Sequence, residues 1–236
     1  MRKRSISIIS LKGGVGKTTT ASNIAYLLAH HFNHRALIID GNLSAPGVGI
    51  HFGIANPQKG RTTHDIIKDH KKVPHAIHRY DMLHVIPAAL NNEQVNPILL
   101  PAIIKKLKQH YDIVIVDSAP SFSYEFVSSL KSADSCIIVT TPDYSSITNV
   151  LQTIKLADKS GAHILGIIVN KKSKYKKELS EKEISSITGK RILGTVRTDK
   201  NMIKALSETM PLAKYKPKSK ASKDLRKISE LLSRIN

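Results

Sequence analysis

The segment Leu11-Lys12-Gly13-Gly14-Val15-Gly16-Lys17-Thr18-Thr19-Thr20 constrains this chain more than any other. A short apolar run, Ser5–Leu11, leads into it, and Lys17–Phe32 follows with Ile24, Leu27, Leu28 and Phe32 on one helical stripe. A glycine turn between a strand and a helix lets the backbone approach an anion and present successive N–H groups to it. The helix N-terminus adds its partial positive charge. The expected chemistry is nucleotide phosphate binding. Gly13, Gly14, Val15 and Gly16 form the cradle and Thr19 opens the helix. Lys17 neutralises the β- and γ-phosphates, and the Thr18 hydroxyl ligates Mg2+. A chance Gly-Lys-Thr in a plain glycine turn is disfavoured, because strand, spacing and helix all agree.

The rest of the chain repeats that strand–helix alternation. Further β-branched runs are Ala36–Asp40, Leu83–Ile86, Ile113–Asp117, Cys136–Thr140, Ile164–Val169 and Ile192–Val196. Several are apolar on both faces, as strands covered by helices on both sides are. Helical patterns occupy Pro97–Lys108, Ile147–Ser160, Asp199–Thr209 and Ala221–Ile235. The expected fold is α/β: a doubly wound, mostly parallel sheet with helices on both faces, as one domain over residues 1–236. Mobile loops are expected at Gly41–Lys59, Lys171–Glu178 and Lys214–Ser222.

Composition narrows the class. Hydrophobic residues make up 41% and charged residues 23%, enough for a packed core, which excludes a disordered, collagenous or coiled-coil chain. The one cysteine, Cys136, excludes a disulfide framework and any multi-cysteine metal or iron–sulfur centre, and fits a reducing compartment. No apolar run reaches the ~18 residues that span a membrane. Met1-Arg2-Lys3-Arg4 precedes too short an apolar stretch for a signal peptide. The eleven histidines, His30, His31, His34, His75 and His78 among them, lack acidic or cysteine partners in ligand spacing and read as surface residues.

The net charge is +19, a field that attracts phosphate polymers and anionic membranes. It is uneven. Lys171, Lys172, Lys174, Lys176 and Lys177 form one basic segment. Lys214, Lys216, Lys218, Lys220, Lys223, Arg226 and Lys227 form another, with Asp224 as its one acid.

The glycine loop departs from the usual phosphate-loop pattern, which starts with glycine where this chain has Leu11, and it carries a second lysine, Lys12. Lys-Gly-Gly-Val-Gly-Lys-Thr-Thr resembles the deviant Walker A motif of the MinD/ParA family of P-loop ATPases. Resemblance runs through nearly the whole chain. Ile113-Val114-Ile115-Val116-Asp117-Ser118-Ala119-Pro120 is similar to that family's Walker B strand and second switch, and Val139–Asp143 to its next strand end. By that resemblance Lys12 reaches a partner's nucleotide across an ATP-bound homodimer, and Asp117 holds a Mg2+-bound water. Asn170, ending Ile167-Ile168-Val169-Asn170, resembles the residue that contacts adenine, and an amide offers the donor and acceptor the base edge needs. Gly194–Asp199 lies where relatives have a proline-containing loop near the base. Arg197 and Thr198 differ there, and Arg197 is the candidate base contact.

Relatives carry Asp-x-Asp after the second strand, the first assisting Mg2+ and the second orienting the attacking water. This chain keeps Asp40 but has Asn42 at the second position. An amide positions water but does not take its proton at neutral pH. Phosphoryl transfer rests mainly on positioning and charge stabilisation. The expectation is ATP hydrolysis that is slow or stimulated by a partner protein, or an essentially non-hydrolysing module locked by ATP. Lys12, Lys17, Asp40 and Asn42 are the catalytic candidates. Thr18, Asp40 and Asp117 are the metal candidates.

The cysteine count excludes the iron–sulfur and nitrogenase-like branches, and the scattered tyrosines exclude the kinases with tyrosine tails. What remains is the branch that positions division sites or partitions chromosomes and plasmids. It implies a cytoplasmic, nucleoid-associated location. The stripe Leu225, Ile228, Leu231, Leu232 and Ile235 is expected to pack on the sheet, with no separate membrane-targeting tail after it. Nonspecific DNA is therefore the expected surface through Lys214–Lys220, and an anionic membrane the alternative.

Overall fold

The computed structural model describes residues 3–54, 56–90, 94–175 and 177–235. An eight-stranded sheet runs through it: β1 (Arg4–Ile9), β2 (Ala36–Asp40), β3 (His78–Tyr80), β4 (Leu83–Ile86), β5 (Ile113–Asp117), β6 (Ser135–Thr140), β7 (Ile164–Lys172) and β8 (Ile192–Arg197). The order is β3-β4-β2-β5-β1-β6-β7-β8. All pairs are parallel except β3 with β4. The expected doubly wound α/β architecture is the one observed.

Ten α-helices join these strands: α1 (Lys17–His30), α2 (Thr63–Lys68), α3 (Val73–Ala76), α4 (Leu100–Leu107), α5 (Tyr124–Lys131), α6 (Tyr144–Lys159), α7 (Glu181–Thr188), α8 (Asn201–Ser207), α9 (Leu212–Tyr215) and α10 (Lys220–Arg234). Successive residues of a strand face opposite sides, and the core divides accordingly. Ile113 and Ile115 of β5 join the α1 and α10 side, while Val114 and Val116 join the α2 and α4 side. Ile138, Ile167 and Val169 pack with Ile147, Ile154 and Ile184 of α6 and α7.

The sequence periodicity missed β3, a three-residue edge strand, and the short helices α2, α3, α5, α7 and α9. Two of these carry a legible start. Thr62 with Asp65, and Ser180 with Glu183, form reciprocal capping boxes. Two expected loops are partly built into regular elements. Lys214–Ser222 holds the end of α9 and the start of α10, capped by Ser219. Lys171 and Lys172 belong to β7. The surface assignment of the histidines also fails at His34, which is 6% exposed, and His78 is half-buried with Nε2 on the Arg61 carbonyl.

Helix α10 packs on β8 and α1. Leu225, Ile228 and Leu232 are buried and Leu231 is exposed. A Cβ on Gly194 would stand 2.6 Å from Ile228 Cγ1, so glycine is required where the helix approaches β8. The apolar stripe covers the sheet, as expected.

Candidate functional site

Parallel strands gather their C-terminal ends along one edge, where open α/β sheets bind ligands. β1, β2 and β5 are adjacent there. Asp40 and Asp117 are register partners at the ends of β2 and β5, so two carboxylates stand side by side below the glycine loop. A cavity of about 780 Å3 opens along this edge. Its walls include Gly13, Gly14, Gly16, Lys17, Thr18, Thr19, Asn42, Asn170 and Arg197. The sequence-derived loop residues therefore converge on one space.

The loop geometry requires its glycines. Gly14 has φ +75° and Gly16 +91°, the left-handed region that side chains rarely enter. A Cβ on Gly16 would also lie 2.3 Å from Asn170 Nδ2. The Val15 side chain is buried in the core. Lys17 is 7% exposed. Burial lowers its pKa, and the neighbouring Asp117 charge opposes that shift.

Thr18 Oγ1 donates to Asp117 Oδ2 at 2.6 Å. The other oxygen, Asp117 Oδ1, is buried with no hydrogen-bond partner among the described residues. Burial raises the Asp117 pKa, the Asp40 charge adds to the rise, and Thr18 and Lys17 oppose it. The bare carboxylate oxygen and the threonine hydroxyl are oxygen ligands that fit a hard divalent cation, while the Lys17 ammonium, which cannot ligate a cation, is suited to phosphate.

Asp40, a metal candidate, also organises the backbone beside it. Its Oδ1 accepts from Asn42 N at 3.1 Å, and its Oδ2 accepts from Gly47 N and Val48 N, both at 3.0 Å. Burial raises its pKa while these amides pull it down. Both oxygens are occupied in folding the 41–48 segment, which is anchored rather than loose. Glu125 of α5 holds the same segment, with Oε2 accepting from Leu43 N, Ser44 N and Ser44 Oγ. Asn42 is buried, donates Nδ2 to the Ala45 carbonyl, and leaves Oδ1 without a partner among the described residues.

Three further candidates are engaged by their own chain. Lys12 Nζ donates to Ser146 Oγ at 2.8 Å and to Asp143 Oδ1 at 3.3 Å. Asp143, at the N-cap of α6, is held at a pKa of about 2 by its hydroxyl and amide donors and Lys12, which outweigh burial. Asn170 Nδ2 donates to the Val15 carbonyl at 2.8 Å, which uses one of its two N–H donors and ties the end of β7 to the loop. The Arg197 guanidinium forks onto Asp224, Nε to Oδ2 at 2.8 Å and Nη2 to Oδ1 at 2.6 Å. It borders the cavity while paired, instead of standing free for a base.

The family model described as an AAA domain matches residues 3–167. The chain belongs to the MinD/ParA family of P-loop ATPases. An uncharacterized ATP-binding protein of Methanocaldococcus jannaschii is 30% identical over 231 residues, covering 96% of this chain and 86% of the relative. The septum site-determining protein MinD of Bacillus subtilis is 28% identical over 238 residues, covering 95% and 87%. The solved structure of MinD complexed with Mg-ADP from Pyrococcus horikoshii superposes with a TM-score of 0.91 at 28% identity, covering 98% of this chain and 96% of that one.

The family-like motifs account for Lys12, Lys17, Asp40 and Asp117 and include Asp143 at a strand end, but not Glu125, Lys171 or Asp224, which act on residues distant in sequence. Helix starts supply a partial signal, since Asp143 caps α6 and Glu125 lies in the first turn of α5.

Proposed function

We propose that this chain is an ATP-dependent dimerising switch, acting as one domain in partitioning chromosomes or plasmids or in positioning division sites. The observation that carries this reading is the unpaired Asp117 oxygen beside Thr18 and Lys17, under a glycine loop facing a 780 Å3 cavity. Thr18 and Asp117 would hold Mg2+, which supplies positive charge to the phosphate oxygens. Lys17 adds a second charge, and the loop N–H groups complete the cradle. Asp40 keeps Asn42 and the 41–48 backbone in place. Asn42 offers its free oxygen as an acceptor that orients water without taking its proton, which supports slow turnover.

Lys12 reaches the partner's nucleotide in the dimer, exchanging Asp143 and Ser146 for phosphate. The proposed surface is DNA. Lys216, Lys218, Lys220, Lys223 and Lys227 are exposed, whereas Lys214 is paired with Asp81 at 2.8 Å and lies over the Tyr80 ring. In the other basic segment, Lys171 bonds the Gly14 carbonyl and Lys172 bonds Leu179 and Glu178, so the proposed DNA contact there falls to its remaining lysines. Lys174 and Lys177 are exposed, and Lys176 lies outside the described residues. The burial of the α10 stripe weighs against that helix entering a membrane.

Sedimentation velocity with Mg-ATP and Mg-ADP, with and without duplex DNA, tests this reading. ATP alone should give a dimer, and the dimer should retain DNA. Lys17→Ala should lose nucleotide and dimer together. A wild-type protein that remains monomeric and nucleotide-free at millimolar Mg-ATP refutes it. Single-turnover hydrolysis separates the slow ATPase from the ATP-locked module favoured by the missing second carboxylate.

A further inference from the structure

One cation at the glycine loop belongs to neither the loop nor its helix. Lys171 follows Asn170 at the C-terminal end of β7, where the pairing with β8 shifts between Val169 and Lys172. Its backbone has φ +57°, a left-handed conformation disfavoured for a residue with a side chain. A register irregularity of this kind re-aims a strand's side chains. The Lys171 side chain is brought over the glycine loop, and Nζ donates to the Gly14 carbonyl at 2.6 Å. Asn170 takes the next carbonyl, that of Val15, at 2.8 Å.

A trans peptide unit is planar, with its C=O and the following N–H pointing in opposite directions. Drawing the Gly14 and Val15 carbonyls toward the end of β7 therefore turns the Val15 and Gly16 N–H groups the other way. Neither N–H donates to a protein acceptor among the described residues. Gly14 and Gly16 supply the conformational freedom for this turn, and that same freedom lets the peptides rotate away unless something fixes them.

We infer that Lys171 is a positioning residue of the nucleotide site, whose ammonium pins the Gly14 peptide so that the loop's donors are aimed before phosphate arrives. This rests on the nucleotide-binding reading above. Donors oriented in advance spend no binding energy on ordering the loop. The strained backbone at 171 is retained against fold stability, as conformations of this kind are at functional sites.

The strain and the contact make opposite demands, which separates them experimentally. Lys171→Ala removes the ammonium and keeps the strain, Lys171→Gly removes both, and Lys171→Arg keeps a charged donor. Without nucleotide, the Gly variant should melt about 3 °C above the Ala variant. Hydrogen exchange at the Val15 and Gly16 amides should be faster than wild type in both. Titration calorimetry with Mg-ADP should show Kd rising about tenfold in Ala and Gly alike, a loss typical of one charge-assisted hydrogen bond. The Arg variant should stay within about threefold of wild type. If affinity follows melting temperature, so that Gly binds more tightly than Ala, the residue acts through fold stability and the proposal fails. Wild-type affinity and exchange in both variants also overturn it. If wild-type protein does not bind Mg-ADP, the nucleotide reading has failed, and this proposal with it.

Discussion

Replacing Asn42 by Asp sets stability against turnover. Asn42 is buried, its backbone N–H donates to Asp40 Oδ1, and its side-chain Nδ2 donates to the Ala45 carbonyl. A carboxylate there loses that donor and turns an oxygen toward the carbonyl. It also joins Asp40 and Asp117, whose pKa values burial already raises. A broken buried hydrogen bond costs about 1–3 kcal/mol, and an unpaired buried charge adds more. Proton uptake caps the total, because protonating an ordinary Asp carboxyl at pH 7 costs about 4 kcal/mol. The nucleotide-free variant should therefore be destabilised by about 2–4 kcal/mol, which for a chain of this size lowers Tm by roughly 5–15 °C. The new carboxyl has a raised folded-state pKa. Its penalty is full at pH values above that pKa and shrinks as pH falls toward about 4, so the Tm deficit should be smaller at pH 5 than at pH 7.5. In the nucleotide complex the same carboxylate can accept the proton of an attacking water. Each tenfold rise in rate takes ~1.4 kcal/mol from the barrier, and a rise of at least tenfold is expected in single-turnover assays with Mg-ATP. Wild-type melting at pH 7.5 would refute the buried carboxylate cluster. An unchanged or lower rate, with dimerisation intact, would show that another residue orients the water.

Lys12→Ala should bind Mg-ATP normally and lose ATP-dependent dimerisation in sedimentation velocity; a normal dimer with normal hydrolysis removes Lys12 from the partner's site. Replacing Lys216, Lys218 and Lys220 with Gln should weaken all duplex sequences alike and flatten the dependence of log K on log salt by up to about 0.9 per contacted phosphate lost. An unchanged slope in fluorescence anisotropy returns that segment to a solvated surface. Asp117→Asn addresses the folded-state pKa raised by burial and Asp40. A carboxyl shifted upward stabilises the fold only while protonated, so the wild type loses stability as pH rises from about 4 through the folded pKa. The Asn variant should melt above wild type at pH 7.5 without nucleotide and match it at pH 4, and should lose the Mg2+ dependence of nucleotide binding. A constant difference across pH would assign the effect to packing.

The strand–glycine loop–helix unit, five of the helical patterns and seven of the strands were legible because each is local. Periodicity 2 or 3.6, a proline start and a glycine stop are all written within about 15 residues. The short elements escaped because three to eight residues barely establish a period, although the capping boxes at Thr62 and Ser180 were readable. The phosphate-loop residues were legible for the same reason: Gly14 and Gly16 bear positive φ and Lys17 follows within one motif.

Tertiary structure decided what each charged group is free to do. Asp40 reads as a metal candidate in its motif, and the folded chain adds a second task, since its oxygens accept from the amides of Asn42, Gly47 and Val48. Asp117, its neighbour in the sheet, keeps one oxygen bare. Lys171 and Lys214 read as members of basic runs until the fold supplies Gly14 to one and Asp81 to the other. Residue type and spacing determine the chemistry that a side chain can perform. Which partner desolvates it, neutralises it or occupies its hydrogen bonds depends also on contacts far along the chain, such as Asp40 with Asp117 across the sheet and Lys171 with Gly14 at the loop. Those contacts exist only once the strands are ordered and their ends meet.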